Sequence, residues 1–438
     1  MKFDKWTVAL ATLGVVSFAS AARAEEKASP VETALAATTI SGYIDTSAEW
    51  NPNGNAGNQN LPPYKFNSPS KADGFNLDVI QLRIDKPLDE SDWAAGYRAD
   101  LWFGPDANAL GTSSIFGGNT SDFAIRQAYV ALRTPVGTGL DFKMGVFDSI
   151  IGYESVEAGN DPNFTRSYGH TIEPQTHTGL LASYRFCDCF SASAGVANTV
   201  NSAINSRAQL GSSGVVGGPL STMWNSMYEA LGVAPSQIQG ADAKAESFKS
   251  YMGSIALTAP ESMGFLSGST LYAGIVSGYN NSIEGSGFGA NQTSYYVGAT
   301  VATPVTGLRL GAAFDYLHFQ DLGRNASLGT FSADPYAWAT AGYVSYQATE
   351  KLSFHARAEY TEAKWGFDVD NTPVGPPKAK IFAATFTTQY DLWKNVISRV
   401  EFRWDRSVNG EDMFQGEVAG EPVRLNAFLL ALNVIYKF

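Results

Sequence analysis

Cysteine is scarce in this chain of 438 residues, which contains only Cys187 and Cys189, in the stretch RFCDCF. A single pair excludes the framework of several disulfides that staples small secreted domains. The pair could form a small strained loop or hold a metal ion, but no histidine lies beside it in the sequence. The sequence favours an incidental pair in a turn.

Charged residues are also few, at 16%, and the chain has 30 Lys and Arg against 42 Asp and Glu. The net charge of −12 argues against a nucleic-acid partner, because phosphate binding needs a basic surface. Of only four histidines, His177 forms a sequence cluster with Ser167 and Glu173, yet none lies in a recognisable nucleophile motif. No glycine-rich stretch has the P-loop form. We therefore expect no enzyme, no cofactor and no metal site.

Long apolar runs are absent beyond the first two dozen residues. There, Lys2 and Lys5 precede an apolar run from Trp6 to about Ala19, and Ala22-Arg23-Ala24 follows as a small-x-small cleavage pattern. The run is shorter than the roughly 20 residues of a spanning helix. We interpret residues 1–24 as a secretory signal peptide and residues 25–37 as a periplasmic lead-in.

Aromatic residues and glycine are abundant, at 13% and 43 residues, which favours β structure with many turns. The chain ends in LLALNVIYKF, in which apolar side chains occupy every second position. Similar alternation recurs along the chain and predicts about sixteen strands in one barrel over residues 38–438. The predicted strands are 38–51, 74–87, 93–104, 121–134, 139–152, 177–187, 190–201, 247–259, 268–280, 292–304, 308–320, 336–348, 351–365, 378–392, 395–408 and 422–438.

The two faces of the predicted strands differ in polarity. In KLSFHARAEYT, residues 351–361, Phe354 and Tyr360 share one face, while Arg357 and Glu359 share the other. A charged face is costly in a dry core but not in a wet lumen. The phase of the alternation is irregular in 74–87 and 121–134, which leaves room there for a β-bulge.

The connections between the predicted strands alternate between short and long. Such sorting is typical of a transmembrane barrel with short periplasmic turns and long extracellular loops, and an even strand number puts both termini on the periplasmic side. The loop 202–246 contains a possible short helix at 221–231. Aromatic residues lie near both strand ends, as in two interfacial girdles. They are Trp50, Trp102, Trp338 and Trp365 toward the long loops, and Trp93, Trp393, Tyr436 and Phe438 toward the short turns.

The signal peptide, the alternating strands and the terminal Phe438 together resemble Gram-negative outer-membrane porins. The stretches SGYIDTSAEWN (41–51), DGFNLDVIQLRIDKPLDE (73–90), 121–154 and RSYGHTIEPQTHTG (166–179) look more specifically like the OmpL-like "putative β-barrel porin" family. The resemblance implies that Tyr436 and Phe438 form the signal that the barrel-assembly machinery reads. It also implies an outer-membrane location in contact with lipid, and a homotrimer.

In general porins the loop after the fifth strand folds inward and faces a basic wall, and the loop in that position here is 153–176. It carries four acids that we expect at a pore constriction, namely Glu154, Glu157, Asp161 and Glu173. The candidate basic residues of the wall are Arg83, Arg98, Arg126, Arg357, Arg399 and Arg403. Acids and guanidinium groups facing each other across a narrow wet passage would orient dipolar solutes and slow apolar ones.

The sequence leaves two functions open. The first is a water-filled channel for passive diffusion of small hydrophilic solutes and ions. The alternative is a plugged, structural or receptor barrel that acts through its extracellular loops, with 202–246 as the place to look.

Overall fold

The computed structural model describes residues 37–52, 61–112, 121–206, 248–279, 291–320, 331–332, 336–364, 367–369, 372–374, 378–411, 413–414 and 424–438. The predicted signal peptide, almost all of the lead-in and the predicted helix at 221–231 lie outside these residues. None of the helices within the described ranges is both long enough and apolar enough to cross a membrane.

Nineteen strands lie within the described residues, with two short helices, Pro105–Ala109 (α1) and Tyr168–Ile172 (α2). The strands are Thr39–Trp50 (β1), Gly74–Lys86 (β2), Ala95–Phe103 (β3), Phe123–Thr134 (β4), Leu140–Asp148 (β5), Thr176–Cys187 (β6), Phe190–Ala197 (β7), Ser250–Thr258 (β8), Thr270–Tyr279 (β9), Asn291–Ala302 (β10), Leu308–Gln320 (β11), Phe331–Ser332 (β12), Tyr336–Gln347 (β13), Leu352–Lys364 (β14), Phe367–Val369 (β15), Thr372–Val374 (β16), Ala379–Trp393 (β17), Val396–Ser407 (β18) and Asn426–Lys437 (β19).

Sixteen of these strands close into one antiparallel barrel, as the alternation predicted. The short strands β12, β15 and β16 form a separate three-stranded sheet. Each barrel strand pairs with the barrel strands before and after it in the chain, so that β11 pairs with β13 and β14 pairs with β17. Strand β1 pairs with β19 to close the barrel. The last residue takes part in the closure, since Gly42 and Phe438 exchange two backbone hydrogen bonds of 2.9 and 3.0 Å. A side chain at position 42 would collide with the carbonyl oxygen of Gln81 and the ring of Phe438, so this approach requires glycine.

The inner and outer faces of the barrel differ as predicted. On β18, Val400 and Phe402 are 49% and 46% exposed on the outside, while Glu401 and Arg403 are fully buried inside. Strand β14 follows the same alternation, with Phe354 exposed and Arg357 buried. A continuous outer surface of large apolar side chains is unfavourable in water and favourable in lipid.

Two β-bulges explain the irregular phase of β2 and β4. Asp45 pairs with Val79 and Thr46 pairs with Leu77, so Asp78 is the extra residue on β2. Asp100 pairs with Gln127 and Leu101 with Ile125, so Arg126 is the extra residue on β4. A bulge lets two consecutive residues share one face. Both bulged residues are buried and charged, so each bulge places an additional ionic group within the barrel.

One of the predicted girdle residues has a different position. Trp102 is 1% exposed, and its Nε1 donates to Gln81 Oε1 at 2.7 Å, so it lies on the inner face and not among the interfacial aromatics. Its neighbour Phe103 takes the outward position. Trp50, Trp93 and Trp393 are exposed by 57%, 75% and 71%, as residues of a girdle would be. Trp365 lies outside the described residues.

Candidate functional site: a loop folded inside the barrel

The connection between β5 and β6 folds into the barrel, and residues 149–175 are called the inner loop below. Its two ends meet, because Ser149 N donates to Gln175 O at 2.8 Å. The loop contains a 3₁₀ turn, Ala158–Asn160, and helix α2, whose N-cap Ser167 accepts a hydrogen bond from His170 N. This is the segment in which the sequence placed the constriction acids, and Glu154, Glu157, Asp161 and Glu173 are each at most 9% exposed.

Glu157 binds three of the candidate arginines, which come from three adjacent strands, β2, β3 and β4. Its Oε1 accepts from Arg126 Nη1 at 2.8 Å, from Arg98 Nη2 at 3.3 Å, and from Arg83 Nη2. Burial raises the pKa of Glu157, but these guanidinium groups outweigh burial and hold the pKa below its usual value. The carboxylate of Glu157 therefore remains ionised in this position at neutral pH.

Asp100, which the sequence reasoning missed, organises the same arginines. It is fully buried on β3 and accepts hydrogen bonds from Arg83 Nε at 2.8 Å, Arg98 Nε at 3.0 Å and Arg126 Nη1 at 3.1 Å. Because it belongs to the wall, it holds the three guanidinium groups together independently of the loop. Its inward position in the strand alternation was the available signal.

A second part of the wall, formed by β14, β17 and β18, binds the loop through Arg357, Arg399 and Arg403. Arg357 Nη1 donates to Glu154 Oε1 at 2.9 Å and to Thr165 O at 2.8 Å. The other two arginines bind loop carbonyls: Arg399 Nη1 reaches Ala158 O at 3.0 Å and Arg403 Nη1 reaches Arg166 O at 2.6 Å. Lys437 Nζ donates to Gly159 O at 2.7 Å from the terminal strand.

Wall acids complete this binding by accepting loop N–H groups. Glu401 accepts from Phe164 N at 2.6 Å and Thr165 N at 2.9 Å, and Glu359 accepts from Tyr168 N at 2.6 Å. Tyr168 Oη donates to Asp405 Oδ1 at 2.6 Å. Buried polar groups of the loop backbone are thus satisfied by charged side chains of the wall. The sequence had assigned Glu359 to the charged face of its strand without giving it a partner.

The remaining side of the inner loop is apolar. Ile150 and Ile151 pack in a cluster with side chains of the facing strands, including Leu181, Met252 and Val276. Tyr153 stacks on Tyr343 of β13, with ring centroids 4.2 Å apart. A Cβ atom at Gly311 would overlap the hydroxyl of Tyr153, so this glycine makes room for the loop. The predicted strand 139–152 ends at Asp148 because these residues turn inward.

The far end of the loop holds a pair of carboxyl groups. The carboxyl group of Glu173 shares a hydrogen bond with the carboxyl group of Asp315 on β11. Burial, and to a smaller extent the negative charge of Asp315, raises the pKa of Glu173 well above its usual value. His170 Nδ1 lies 3.8 Å from Glu173 Oε2, and burial lowers the pKa of that imidazole well below its usual value. A hydrogen bond between two carboxyl groups requires one proton, so this contact exists only in the protonated form of the pair.

Part of the first long connection, residues 61–73, covers the inner loop. Lys65 N donates to Thr171 Oγ1 at 3.0 Å, and the Arg403 guanidinium lies 4.6 Å from the ring of Tyr64. A cavity of about 20 Å³ between the two segments is lined by residues that include Asp45, Tyr64 and Arg166. That volume admits about one water molecule.

The six arginines and four acids of the sequence prediction therefore lie within one structure. All six arginines contact the inner loop, and Glu154, Glu157 and Glu173 contact the wall through their carboxyl groups. Asp161 contacts the wall only through its backbone carbonyl, which accepts from Arg399, while its carboxylate pairs with Arg166 of the loop itself. The ionic groups are joined by distances of hydrogen-bond length instead of facing one another across water. Within the described residues, no group of His, Cys, Asp and Glu side chains could hold a metal ion.

A closed barrel with an apolar outer face, a charged inner face and an infolded loop after the fifth strand defines the class of outer-membrane porin barrels. The chain belongs to the family described as "Putative beta-barrel porin-2, OmpL-like", whose model matches residues 37–438. The comparison with curated proteins gives no match.

Solved structures share the fold at low sequence identity. The outer membrane channel DcaP of Acinetobacter baumannii and the anion-selective porin from Comamonas acidovorans are each 12% identical, with TM-scores of 0.55. The alignments cover 92% of this chain and 97% and 99% of theirs. OmpF of Salmonella typhi, solved in complex with daunomycin, is 14% identical over 92% of this chain and 97% of its own, with a TM-score of 0.51.

Proposed function

We propose that this protein is a porin through which small hydrophilic solutes and ions diffuse passively, with the inner loop as its constriction. The observation that carries the proposal is the ionic docking of that loop, through Glu154 and Glu157, onto two groups of arginines on the charged part of the barrel wall. Ions and dipolar solutes passing such a surface exchange water for fixed charges, whereas apolar solutes lose solvation without compensation.

The Comamonas acidovorans structure is described as an anion-selective porin, and this chain shares its fold. The wall around Glu157 carries three arginines against Asp100 and Asp148, so it has an excess of positive charge that Glu157 neutralises. We therefore propose that anions are preferred when the loop carboxylate is withdrawn. The preference of the intact protein depends on the balance between these groups.

The plugged barrel is the second candidate, and a specific observation favours it. Arg126, Arg357 and Arg399 are each 2% exposed, and Arg403 is fully buried, so water reaches very little of the ionic surface while the loop is docked. In this alternative the docked loop closes the barrel, and function lies in the extracellular loops.

Single-channel recording in planar bilayers separates the two. The mature chain is inserted and its conductance measured under a salt gradient, with the variant Glu157→Gln beside it. We expect open steps for the intact protein, in multiples of three if the barrel is the homotrimer that we propose from its family. In Glu157→Gln, the three arginines of the wall lose the loop carboxylate that balances their charge. We therefore expect a higher conductance and a reversal potential that indicates a stronger preference for anions.

The matched control is Glu350→Gln, which makes the same chemical change in an exposed residue. A folded barrel that conducts in neither form contradicts the porin. Equal conductance and reversal potential in intact protein and Glu157→Gln, with open steps in both, contradict the role of the loop as the constriction.

A further inference from the structure

The turn between β6 and β7 contains a disulfide between Cys187 and Cys189, which are separated by one residue. The sequence had favoured an incidental pair here. The turn lies at the end of the barrel that also holds the terminal Phe438 and the short connections β4–β5 and β17–β18. In an outer-membrane barrel these short turns face the periplasm.

The barrel gains little stability from this bond. A disulfide stabilises mainly by restricting the unfolded chain, and the restriction is smallest when the closed loop is shortest. The strands on either side are already fixed by their own ladder, with Arg185 opposite Ser191 and Cys187 opposite Phe190. Cys189 O also accepts from Thr258 N of β8 at 3.0 Å. Structural need therefore does not explain the bond.

The bond is open to attack from water. Cys187 and Cys189 are both exposed, and the side chain of Asp188 between them is 99% exposed. Exchange begins when a thiolate approaches one sulfur of a disulfide, so access controls its rate.

The residues beside the turn give it charge and a fixed position. Arg185 Nη1 lies 3.7 Å from Asp188 Oδ1, so the turn contains a guanidinium group beside the carboxylate that separates the two cysteines. On the membrane side, Phe186 stacks on Phe190 with centroids 4.9 Å apart and contacts Tyr184 edge-on at 4.8 Å. This aromatic cluster anchors the hairpin at the interface.

We propose that Cys187 and Cys189 form a reversible thiol–disulfide exchange site that faces the periplasm and reacts with dithiols. A thiolate of the dithiol attacks one sulfur and forms a mixed disulfide, while the other sulfur leaves as a thiolate and takes up a proton. The second thiol of the dithiol then resolves the mixed disulfide. The protein gains two electrons and two protons, and the dithiol is oxidised to a disulfide.

Redox titration of the folded barrel tests the proposal. The mature protein in detergent is equilibrated with reduced and oxidised dithiothreitol at a series of ratios, quenched with acid, and labelled with a maleimide that shifts its electrophoretic mobility. We expect two thiols per folded chain, reversibly, at a reductant ratio about 100-fold below that needed for structural disulfides. The folded, heat-modifiable band should remain throughout.

The variant carrying both Cys187→Ser and Cys189→Ser gives the control, with no labelling and an unchanged unfolding temperature. The variant Cys189→Ser alone should form a stable mixed disulfide with an oxidised monothiol such as glutathione disulfide, which has no second thiol to resolve it. Three results would overturn the proposal: thiols that appear only after unfolding, loss of the folded band on reduction, or a lower unfolding temperature in the double variant.

Discussion

Two carboxyl groups of the inner loop lie in opposite electrostatic surroundings. Glu157 meets three guanidinium groups, which hold its pKa below the usual value despite burial. Glu173 meets Asp315, and burial together with that second carboxyl raises its pKa. Glu157 is therefore bound to the wall as a carboxylate ion, whereas Glu173 is bound to the wall as a neutral acid.

The lowered pKa of Glu157 and the raised pKa of Glu173 decide how docking of the loop depends on pH. The contribution of Glu157 to loop docking is present above the ordinary carboxyl pKa of 4.5 and is lost as pH falls through its lower, folded value. The contribution of Glu173 is full below 4.5 and is lost as pH rises through its raised, folded value. Alkaline conditions should thus loosen the Glu173 end of the loop while the Glu157 end stays bound.

The variant Glu173→Gln should remove this alkaline loosening, because an amide keeps a hydrogen bond to Asp315 without a proton to lose. Hydrogen exchange, corrected for the intrinsic rate, measures protection of residues 166–175 from about pH 6 to about pH 9. We expect protection to fall with pH in the parent and to stay level in the variant. Equal slopes in the two proteins would show that the carboxyl pair does not control docking.

At the scale of elements, the wall recognises the backbone of the inner loop as much as its side chains. Arg399, Arg403 and Lys437 all donate to loop carbonyls, and Glu401 accepts from loop N–H groups. Recognition of this kind depends on the conformation of the loop, which sequence patterns do not specify. The acids and arginines of the site could therefore be proposed from the sequence, but the backbone groups of the loop that they bind could not.

The variant Arg399→Met tests this backbone recognition. The change removes hydrogen bonds to Ala158 O and Asp161 O while keeping a long side chain. Because a hydrogen bond from a charged group contributes about 1.5–3 kcal/mol, exchange at residues 157–162 should accelerate about 10- to 100-fold, with the strands unaffected. The exposed Arg406→Met on the same strand is the control. Uniform loss of protection in both variants would indicate a general effect on β18.

The strands themselves were predictable from the sequence because period-two alternation and turn residues are local signals. The phase slips at Val79-Ile80 and at Arg126-Gln127 correspond to real bulges at Asp78 and Arg126. The end of β5 and the inward Trp102 were not predictable in this way. Ile150 and Trp102 satisfy a strand or girdle pattern, and only the presence of a loop inside the barrel gives an apolar side chain a partner there.

At the scale of the whole molecule, the barrel interior is divided. Strands β1 to β4, β14 and β17 to β19 form one arc that presents ionic groups to the loop, and strands β5 to β11 and β13 present mostly apolar side chains and tyrosines. The loop matches this division, with Ile150 and Ile151 on one side and Glu154 and Glu157 on the other. The ladder of the barrel, by contrast, runs between strands and needs none of these contacts.

Replacement of residues 150–174 by two or three glycines should therefore leave a folded barrel with a wider lumen. The hydrogen bond between Ser149 and Gln175 shows that the ends are already close enough to join. We expect a heat-modifiable band as in the parent and a severalfold larger single-channel conductance. A variant that fails to fold would mean that the loop, and not the ladder alone, holds the barrel closed. A folded variant with the parental conductance would put the constriction elsewhere.

The closed base of the inner loop has a consequence for diversification. The inner loop begins and ends at one hydrogen-bonded pair, Ser149 and Gln175, at the ends of the paired strands β5 and β6. We therefore expect that its length and charge can change without a change in the register of any strand. If the protein is the porin proposed above, changes confined to these consecutive residues would alter its solute selectivity. The inner loop is also the segment that we would replace in order to introduce a designed filter or a sensing peptide into a barrel of this family.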